Sequence, residues 1–535
     1  MVPGLWNRDV WHPLEPQYAQ TAHEIVSSGD WLDLKLNGEP YYNKPPLFFW
    51  FEAICIEAFG RNTAAVRVPS LLFGIGSLVV CYLIARRVGV QPLLPALVLA
   101  TSYDYWFSAQ RTTLDITLCF FVMLAFLLYL ESRESKVQSP ESDAEFEAQS
   151  AGRSVQGSSF IVHRSSFISH RSSFIIGLAL SVGAAMLIKG PVSLMSLAFA
   201  IVPWLVWRRK WRELLNWRLL VPIAGGVVIF LAWMAAAFYQ QGPDFIKTMV
   251  GREFVSRIEE GVDKRPVYHY LLSLGNFLPW IVFLPGAIRH AWKRRAEPLF
   301  QILLWFAAGL VVFSLIPTKA NRYILGLYPP MAILVGAYLA SWVRDPARGS
   351  AAVRWLSVGT LAVCAIGGAA MVAGNQAGAR WGQYGLHLGL PALGAGIIGL
   401  LLWRRLGVKA LVGVAACLGI AASVIYFPLR NAEKSPRPLA TFLNGAHAAP
   451  ENVVWYRSYE PGVAYYAGFP VMPCVNELAS LSEHPGKLII AAKRDAAARP
   501  DVFGDVKPVS SFRLGREEYE VYGEAPAEVE MPTRH

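Results

Sequence analysis

The sequence predicts a mainly α-helical fold, a polytopic bundle of about twelve transmembrane helices followed by a small α/β domain. Hydrophobic residues make up 54% of the 535 positions, and the mean hydropathy is +0.36, which is typical of membrane proteins. Many apolar runs are long enough to cross a hydrocarbon core of about 30 Å, which takes roughly 17–25 residues each. Lysine and arginine cluster in the short loops between these runs, as they do in cytoplasmic loops.

The apolar runs and the basic loops together predict a topology. The spans lie at residues 69–87, 91–108, 114–131, 173–189, 191–207, 219–238, 274–289, 300–316, 326–342, 354–373, 386–403 and 409–427. The basic residues of one face are Arg86, Arg87, Arg208, Arg209, Lys210, Arg212, Arg289, Lys293, Arg294, Arg295, Arg344, Arg348, Arg404, Arg405 and Lys409. We expect this face to be cytoplasmic, because positive charge is retained on that side. The opposite face then carries residues 1–68, the turn around Arg111, the loop 239–273, the turn 317–323 and the tail 428–535.

Residues 1–68 form the first loop, which we expect to lie outside the cytoplasm and to contain interfacial helices. Glu15, Tyr18, Ala22 and Ile25 recur at helical spacing. This pattern predicts an amphipathic helix in the plane of the membrane interface, with its polar residues toward water. The aromatic stretch 47–51 suits the headgroup boundary, so the charged groups of this loop are expected at membrane level.

Residues 132–172 form an insertion of low complexity between two predicted spans. Ser158-Ser159-Phe160-Ile161 recurs at residues 165–168 and again at 172–175. A repeat this short is typical of an expanded coding sequence more than of a folded module. We predict that the insertion is cytoplasmic and has no catalytic role.

The tail, residues 428–535, alternates turn-rich stretches with short apolar runs at 452–456 and 487–492. Such runs predict buried strands, and residues 464–468 suggest the end of a helix. We therefore expect a small α/β domain outside the cytoplasm, between the bundle and the C-terminal end.

Composition excludes several function classes. The formal charge of +11 arises from the short basic loops, which orient a membrane protein and do not form a nucleic-acid groove. Five of the six cysteines lie in apolar stretches and no CxxC pattern occurs, so no redox or metal motif is present. We predict no nucleic-acid partner, no metal and no cofactor.

A set of short motifs follows in order along residues 11–330. They are Glu15-Pro16-Gln17-Tyr18-Ala19, Ser28-Gly29-Asp30-Trp31, Leu36-Asn37-Gly38, Lys44-Pro45-Pro46, Arg67-Val68-Pro69-Ser70, Arg111-Thr112-Thr113-Leu114-Asp115, Lys189-Gly190-Pro191, Phe277-Leu278-Pro279-Trp280 and Lys319-Ala320-Asn321-Arg322-Tyr323. This ordered set resembles the C-type membrane glycosyltransferases, which include the lipid A aminoarabinose transferase and the protein O-mannosyltransferases. The resemblance implies a GT-C-like fold in a bacterial cytoplasmic membrane.

The resemblance also implies an activity, the inverting transfer of a sugar from a polyprenyl-monophosphate donor to an acceptor hydroxyl at the outer face. The acceptor is a lipid, a glycan or a protein, and the sequence does not choose among them. Such a reaction needs a carboxylate within reach of the acceptor hydroxyl. It also needs cations around the departing phosphate, and lysine and arginine can supply these without a metal.

The sequence departs from the family at the expected base. Relatives carry an Asp-Glu pair where this chain has Leu14-Glu15, so the position of the proposed base is apolar. Three alternatives stay open: Glu15 takes over the role, Asp9 reaches in, or the chain is a catalytically silent paralogue. Gln17 stands where relatives prefer arginine, and Asn43 where they prefer an acidic residue, which removes a phosphate contact and weakens any metal site there.

The resemblance and the topology select the remaining candidate residues. We expect Lys44, Lys319 and Arg322 to bind the donor phosphate, with Arg67 and Arg111 contributing and Asp115 in a catalytic or shaping role; Arg257, Arg265 and Tyr18 are possible contacts from the loops. Lys319 and Arg322 lie on the face otherwise poor in positive charge, which favours an anionic ligand. Simpler explanations exist for others, since Lys44 can snorkel and Asp115 can interact with a helix dipole. Arg67 can also pair with Glu15.

Two rival functions come from other classes. A secondary transporter or lipid flippase usually shows repeated halves and ionisable sites near the bilayer midplane. This chain has no repeated halves, and its charges cluster at one face. The second rival is a noncatalytic membrane component that binds lipid-linked sugars or cell-wall partners through residues 431–535; the missing family aspartate supports it.

Overall fold

Helices dominate the part of the chain that the computed structural model describes, residues 2, 4–11, 14–134, 159–250, 265–316, 319–344, 351–376, 382–504 and 506–523. Up to the end of the bundle the helices are α1 Leu14–Ser28, α2 Leu47–Phe59, α3 Val68–Arg87, α4 Leu93–Ala100, α5 Tyr103–Ala109, α6 Leu114–Glu134, α7 Ser159–Lys189, α8 Val192–Trp207, α9 Trp217–Gln241, α10 Pro243–Val250, α11 His269–Ser273, α12 Leu284–Lys293, α13 Leu299–Leu315, α14 Tyr328–Arg344, α15 Ala351–Gln376, α16 Gly382–Leu406, α17 Val408–Ala421 and α18 Phe427–Leu429. The shorter helices that follow are α19 Asn431–Lys434, α20 Arg437–Gly445, α21 Pro461–Ala467, α22 Lys493–Ala497 and α23 Pro500–Phe503.

Several of these helices are long and apolar enough to cross a membrane. Within the described residues there are 7, namely Ala65–Arg87, Leu114–Arg133, Trp217–Gln241, Asn321–Val343, Ala351–Asn375, Gly385–Leu406 and Val408–Leu429. Three shorter apolar helices, Ser173–Lys189, Val192–Trp207 and Leu299–Leu315, lie at further predicted spans. The chain is therefore a multi-pass membrane protein, as the hydropathy predicted.

Two predicted spans are wrong as single helices. Residues 91–108 form α4 and α5, which are separated by a turn at Thr101 and Ser102. Residues 274–289 belong to a broken pair, His269–Phe277 and Trp280–Lys293, with a 110° bend. Two hydrogen bonds connect the two breaks. The indole N–H of Trp280 donates to Thr101 Oγ1 at 3.1 Å, and the Tyr103 N–H donates to the Leu278 carbonyl at 2.9 Å.

The helix predicted at Glu15 to Ile25 exists as α1, but the exposure of its polar residues differs from the prediction. Glu15, Tyr18, Ala22 and Ile25 are each at most 3% exposed. The helix packs between α2 and α21, the latter contributed by the tail. The expectation that its polar residues face water is therefore wrong, since α1 buries Glu15, Gln20 and Glu24 inside the protein; its position in the interface plane stays a prediction.

The tail forms a compact α/β unit, as predicted. After the short hairpin β1 Lys35–Leu36 and β2 Glu39–Pro40 of the first loop, the strands are β3 Val453–Tyr456, β4 Cys474–Val475, β5 Leu488–Ala492, β6 Ser510–Leu514 and β7 Glu517–Tyr522. The five tail strands are ordered β4-β3-β5-β7-β6. Both predicted strands are fully buried, and β3 runs parallel to β4 and β5 while β7 is antiparallel to its neighbours. Gly468 ends α21 with φ +85°, where glycine is favoured.

The insertion predicted at 132–172 also needs a correction. Helix α7 starts at Ser159, before the predicted span at 173, and so takes in most of the serine-rich repeat. The repeat has no proline or glycine from Ser158 to Ile176, and nothing in its composition therefore stops a helix from extending. Residues 135–158 lie outside the described residues.

Candidate active site

Three charged side chains from separate elements meet at one end of the bundle. The Lys189 ammonium at the end of α7 forms an ion pair with Oδ1 of Asp115 at the start of α6. Arg322 Nε lies 3.9 Å from the other oxygen, Oδ2. We call Asp115, Lys189 and Arg322 the charged triad; it joins parts of the chain that are far apart in sequence.

Local sequence explains why these residues lie at helix ends. Asp115 is in the first turn of α6, where a carboxylate is favoured by the helix dipole, and Lys189 is in the last turn of α7, where a cation is favoured. Gly190 follows with φ +71° and donates to the Met186 carbonyl at 2.7 Å, which ends the helix sharply. The triad is therefore presented at loops and not in mid-helix.

The three members differ in how much they can reach a ligand. The Asp115 side chain is 6% exposed and that of Arg322 is 42% exposed, while Lys189 is 12% exposed. The Tyr323 ring lies 4.7 Å from the Lys189 ammonium and 5.4 Å from the Arg322 guanidinium. Arg322 thus has the freedom to contact an anion, while Asp115 and Lys189 are held beside it.

Lys189 was not among the residues that we expected to bind phosphate. Its motif was recognised, but a lysine at the end of a predicted span also suits an ordinary helix terminus. A useful signal was present, because Lys189 lies between two spans on the face that is otherwise poor in positive charge. The same signal correctly drew attention to Arg322.

The predicted phosphate ligands Lys319 and Lys44 are engaged with the backbone. The Lys319 ammonium donates to the Ile316 carbonyl at 2.8 Å, and Lys319 is 5% exposed. The Lys44 ammonium donates to the Asn43 carbonyl at 2.6 Å and is half-buried. Contact of either lysine with a donor phosphate stays a prediction.

The three residues predicted to contact the site from the loops, Arg265, Tyr18 and Arg257, differ in where they lie. Arg265 reaches the turn that carries Arg322, because its Nη1 lies 3.4 Å from Nε2 of His269, and that nitrogen lies 2.8 Å from Asn321 Oδ1. Tyr18 is buried against aromatic side chains of α2. Burial raises the pKa of Tyr18 above its ordinary value. Arg257 lies outside the described residues.

A second charged cluster surrounds Glu15. The Arg8 guanidinium donates to both carboxylate oxygens, Nη1 to Oε2 at 2.7 Å and Nη2 to Oε1 at 2.8 Å. Arg67 Nε lies 3.3 Å from Oε1, and the backbone N–H groups of Trp11 and Thr112 donate at 3.2 and 3.0 Å. Burial opposes ionisation of Glu15, but the charges of Arg8, Arg67 and Arg111 lower its pKa well below the ordinary value.

This environment argues against Glu15 as a catalytic base. The side chain is 0% exposed, and both oxygens already accept charge-assisted hydrogen bonds, which favour the ionised form. A base must instead take up a proton from an acceptor that it can reach. We had left open that Arg67 holds Glu15 by an ion pair, and the structure has this pair.

Arg67 is buried and its guanidinium has partners within the protein, which argues against contact with a donor phosphate; that contact stays a prediction. The residue is 0% exposed, and its guanidinium donates to the Leu5 carbonyl at 2.9 Å, the Asp9 carbonyl at 2.8 Å and the Arg8 carbonyl. With Nε directed at Glu15, its donors are satisfied within the first loop. Arg67 is therefore a positioning residue.

Asp9 is not placed as a base either. Its carboxylate pairs with Arg437 at 2.7 Å, and accepts hydrogen bonds from Ser435 at 2.7 Å and Tyr466 at 3.2 Å. All three partners belong to the tail. These contacts join the first loop to the C-terminal domain and argue against the alternative in which Asp9 replaces the family aspartate, which stays a prediction.

Arg111 lies near the Glu15 cluster, and its contact with a donor phosphate stays a prediction. Its guanidinium stacks over the Phe107 ring at 4.8 Å, and its charge contributes to the lowered pKa of Glu15. The turn from Arg111 to Asp115 therefore connects the two clusters, since Thr112 donates to Glu15 and Asp115 belongs to the charged triad. Among the described residues, no three His, Cys, Asp or Glu side chains are grouped as metal ligands are.

Comparison with known proteins shows which proteins this chain resembles. Residues 1–148 match the family described as dolichyl-phosphate-mannose-protein mannosyltransferase. The undecaprenyl phosphate-α-4-amino-4-deoxy-L-arabinose arabinosyl transferase 2 of Pseudomonas fluorescens (strain Pf0-1) is 29% identical over 347 residues, which are 64% of this chain and 57% of the relative. The corresponding transferase of Pseudomonas aeruginosa (strain LESB58) is 29% identical over 351 residues, 64% of this chain and 58% of the relative.

A solved structure covers nearly the whole chain. The crystal structure of ArnT from Cupriavidus metallidurans bound to undecaprenyl phosphate superposes with a TM-score of 0.74 at 20% identity, covering 97% of this chain and 95% of that one. The GT-C-like fold is confirmed. The resemblance seen in the ordered motifs is confirmed as well, although the chain spans only about 57% of the length of the curated relative from Pseudomonas fluorescens.

Proposed function

We propose that this chain is a membrane glycosyltransferase that moves a sugar from a polyprenyl-monophosphate donor to an acceptor hydroxyl. The observation that carries the proposal is the charged triad, in which a carboxylate and two cations lie together at helix ends beside the first loop. The relatives support it, because those matched over most of this chain's length are named as undecaprenyl-phosphate-dependent transferases. We propose that the transfer is inverting and metal-independent.

The cations of the triad stabilise the leaving group. When the bond between the anomeric carbon and the phosphate oxygen breaks, negative charge builds on the phosphate, and nearby guanidinium and ammonium groups lower the energy of that state. Arg322 is the most accessible of them. Lys189 lies beside it, and Lys319 and Lys44 can join by releasing their backbone carbonyls.

Asp115 is the carboxylate that we assign to the acceptor. Glu15 and Asp9 are each held by several partners, whereas Oδ2 of Asp115 lies 3.9 Å from Arg322, beyond hydrogen-bond distance. This oxygen can accept the hydroxyl proton as the acceptor oxygen attacks the anomeric carbon from the face opposite the phosphate. The ion pair with Lys189 holds the Asp115 side chain in position for that step.

The location follows from charge and packing. We propose that the triad lies on the outer side of a bacterial cytoplasmic membrane; the basic loops at the other ends of the helices support this, since positive loops are retained inside. The tail packs on the first loop through Asp9 and α1, which supports the proposal that both lie on the outer side. We keep as proposals the domain boundaries after residues 68 and 427 and an acceptor that is a lipid, a glycan or a protein.

One observation favours a second function. The family aspartate is replaced by Leu14, and its neighbour Glu15 is locked in a structural network. A chain of this kind can bind a lipid-linked sugar without transferring it. Both functions require binding of the donor, but only the transferase turns it over. Measurements of donor binding and of sugar transfer therefore distinguish the two functions.

Sugar transfer tests the proposal. Membranes that contain the full chain receive radiolabelled polyprenyl-phosphate sugars, and incorporation into lipid, glycan and protein fractions is measured per folded protein. We expect transfer by the wild type and its loss in Asp115→Asn, while Lys493→Gln, at an exposed site in the tail, retains it. Full transfer by Asp115→Asn would exclude this carboxylate, and donor binding without any transfer would establish the noncatalytic function.

A further inference from the structure

A basic and aromatic surface lies on the face opposite the charged triad. Its first segment, residues 207–218, exposes Trp207 by 47%, Trp211 by 54% and Trp217 by 58%. Basic residues alternate with these rings: Arg208, Arg209, Lys210, Arg212 and Arg218. A second segment, residues 289–295, exposes Trp292 by 51% beside Arg289, Lys293, Arg294 and Arg295. We call the two segments together the basic patch.

An aromatic contact joins the two segments into one surface. The Phe300 ring, buried at the start of α13, lies 5.0 Å from the Trp207 ring and 5.6 Å from the Trp292 ring. Both tryptophans are thus fixed against the same buried residue while their other faces are exposed. Because of this contact, cations that are about 80 residues apart in sequence face one region of surface.

The basic patch has a large excess of positive charge. Glu213 pairs with Arg133 at 2.7 Å and with Lys210 at 3.8 Å, and Glu297 pairs with Arg294 at 3.4 Å. No acidic side chain in the described ranges lies within ion-pair distance of the remaining cations, which are Arg208, Arg209, Arg212, Arg218, Arg289, Lys293 and Arg295. The patch therefore presents unneutralised charge next to exposed indole rings.

We propose that the basic patch binds the headgroup of an anionic phospholipid from the leaflet opposite the charged triad. Tryptophan is enriched where the headgroups begin, and clustered basic residues next to a membrane span attract anionic lipids. Arginine can also hold a phosphate with two parallel hydrogen bonds. Cations from both segments converge on the headgroup, and the tryptophan rings lie along its glycerol and upper acyl region.

The chain itself contains one competing occupant. Residues 135–158 carry Glu141, Asp143, Glu145 and Glu147, and Arg133, just before them, is paired to Glu213 in the patch. An acidic segment starting so close could cover the same cations. We call this second case self-cover. If lipid occupies the patch, the chain binds anionic lipid with residues 135–158 present; under self-cover it binds anionic lipid only after they are removed.

Native mass spectrometry of the full chain tests the proposal. The purified protein is exchanged into mixed micelles with equal amounts of phosphatidylglycerol, cardiolipin and phosphatidylcholine, and retained lipids are counted. The patch variant Arg208→Gln/Arg209→Gln/Arg212→Gln is compared with Arg404→Gln/Arg405→Gln/Lys409→Gln, which removes the same charge from exposed sites on the same face. A third variant, Lys293→Gln/Arg294→Gln/Arg295→Gln, tests the second segment.

We expect the wild type and the 404–409 variant to retain anionic lipid in preference to phosphatidylcholine. Each patch variant should lower this preference roughly tenfold or more, because each removes three cations from the same headgroup site. Equal loss in all three variants would show diffuse attraction only and overturn the proposal. A preference that emerges only after deletion of residues 135–158 would overturn it in favour of self-cover.

Discussion

Glu15 and Arg8 form a two-pronged ion pair, with guanidinium nitrogens 2.7 and 2.8 Å from the two carboxylate oxygens. Thr112 donates to the same carboxylate at 3.0 Å, and three residues later the chain reaches Asp115. The fold of the first loop and the position of the triad carboxylate are therefore mechanically connected. This connection gives the Glu15 carboxylate a structural role in the first loop.

Removal of the Glu15 charge should destabilise the protein. Glu15→Gln leaves Arg8 and Arg67 buried without their carboxylate, and loss of one partner of a buried ion pair costs about 3–5 kcal/mol. Thermal unfolding in detergent should show a clearly lower Tm than wild type. Glu39→Gln, at an exposed position, is the control; a Tm for Glu15→Gln equal to that of the control would contradict the account.

The ion pair between Glu15 and Arg8 makes the stability of the protein depend on pH. The pKa of Glu15 in the folded protein is lower than its ordinary value. The contribution of its ionised carboxylate to stability is therefore complete above the unfolded pKa of about 4.3 and is lost as the pH falls toward the folded pKa. The Tm difference between wild type and Glu15→Gln should be constant from about pH 7 to 5 and shrink below about pH 4. A difference that grows on acidification would have the wrong sign.

Asp9 should affect stability more than chemistry. Asp9→Asn weakens the contact with Arg437, which is half exposed, and the hydrogen bonds to Ser435 and Tyr466 limit the loss to roughly 1–2 kcal/mol. Sugar transfer per folded protein should stay within about threefold of wild type, far from the loss expected of a general base. Abolished transfer in a normally folded Asp9→Asn variant would restore Asp9 as a catalytic candidate.

Lys189 should matter for transfer because of its charge. Lys189→Met removes a cation from beside both Asp115 and the proposed phosphate position, so kcat should fall by roughly 100-fold. Lys189→Arg keeps the charge and should recover part of the activity. Lys35→Met, which removes an exposed lysine from the first loop, should behave as wild type; an equal loss in Lys35→Met would indicate nonspecific damage to that loop.

The sequence predicted those features that depend on local pattern. Hydropathy located the long spans, and the apolar runs at 452–456 and 487–492 located β3 and β5. The break at Thr101 was not predictable, because it depends on a hydrogen bond from Trp280, 179 residues away. The pairing of Asp115 with Lys189 likewise needs the packing of α6 against α7.

The sequence predicted only part of the candidate site, because the site also depends on contacts between distant parts of the chain. Arg322 and Asp115 were selected by their unusual place in the topology, and the structure brings them to within 3.9 Å. Glu15 and Arg67 were selected by their motifs and Asp9 by its nearness to Glu15 in sequence, yet neither criterion reveals which side chains are buried. Arg8, seven residues before Glu15, was missed because it lies outside any recognised motif.

Donor binding is the most direct test of the central claim that the triad holds a polyprenyl phosphate. Binding of radiolabelled undecaprenyl phosphate to the purified full chain is measured for wild type, Arg322→Gln and Lys189→Met, with Arg437→Gln as a control that loses an arginine at the tail. The account predicts that both triad variants bind at least about tenfold more weakly, since each loses a charge-assisted contact, while the control binds as wild type. Unchanged affinity in both triad variants would contradict the account and place the lipid phosphate elsewhere.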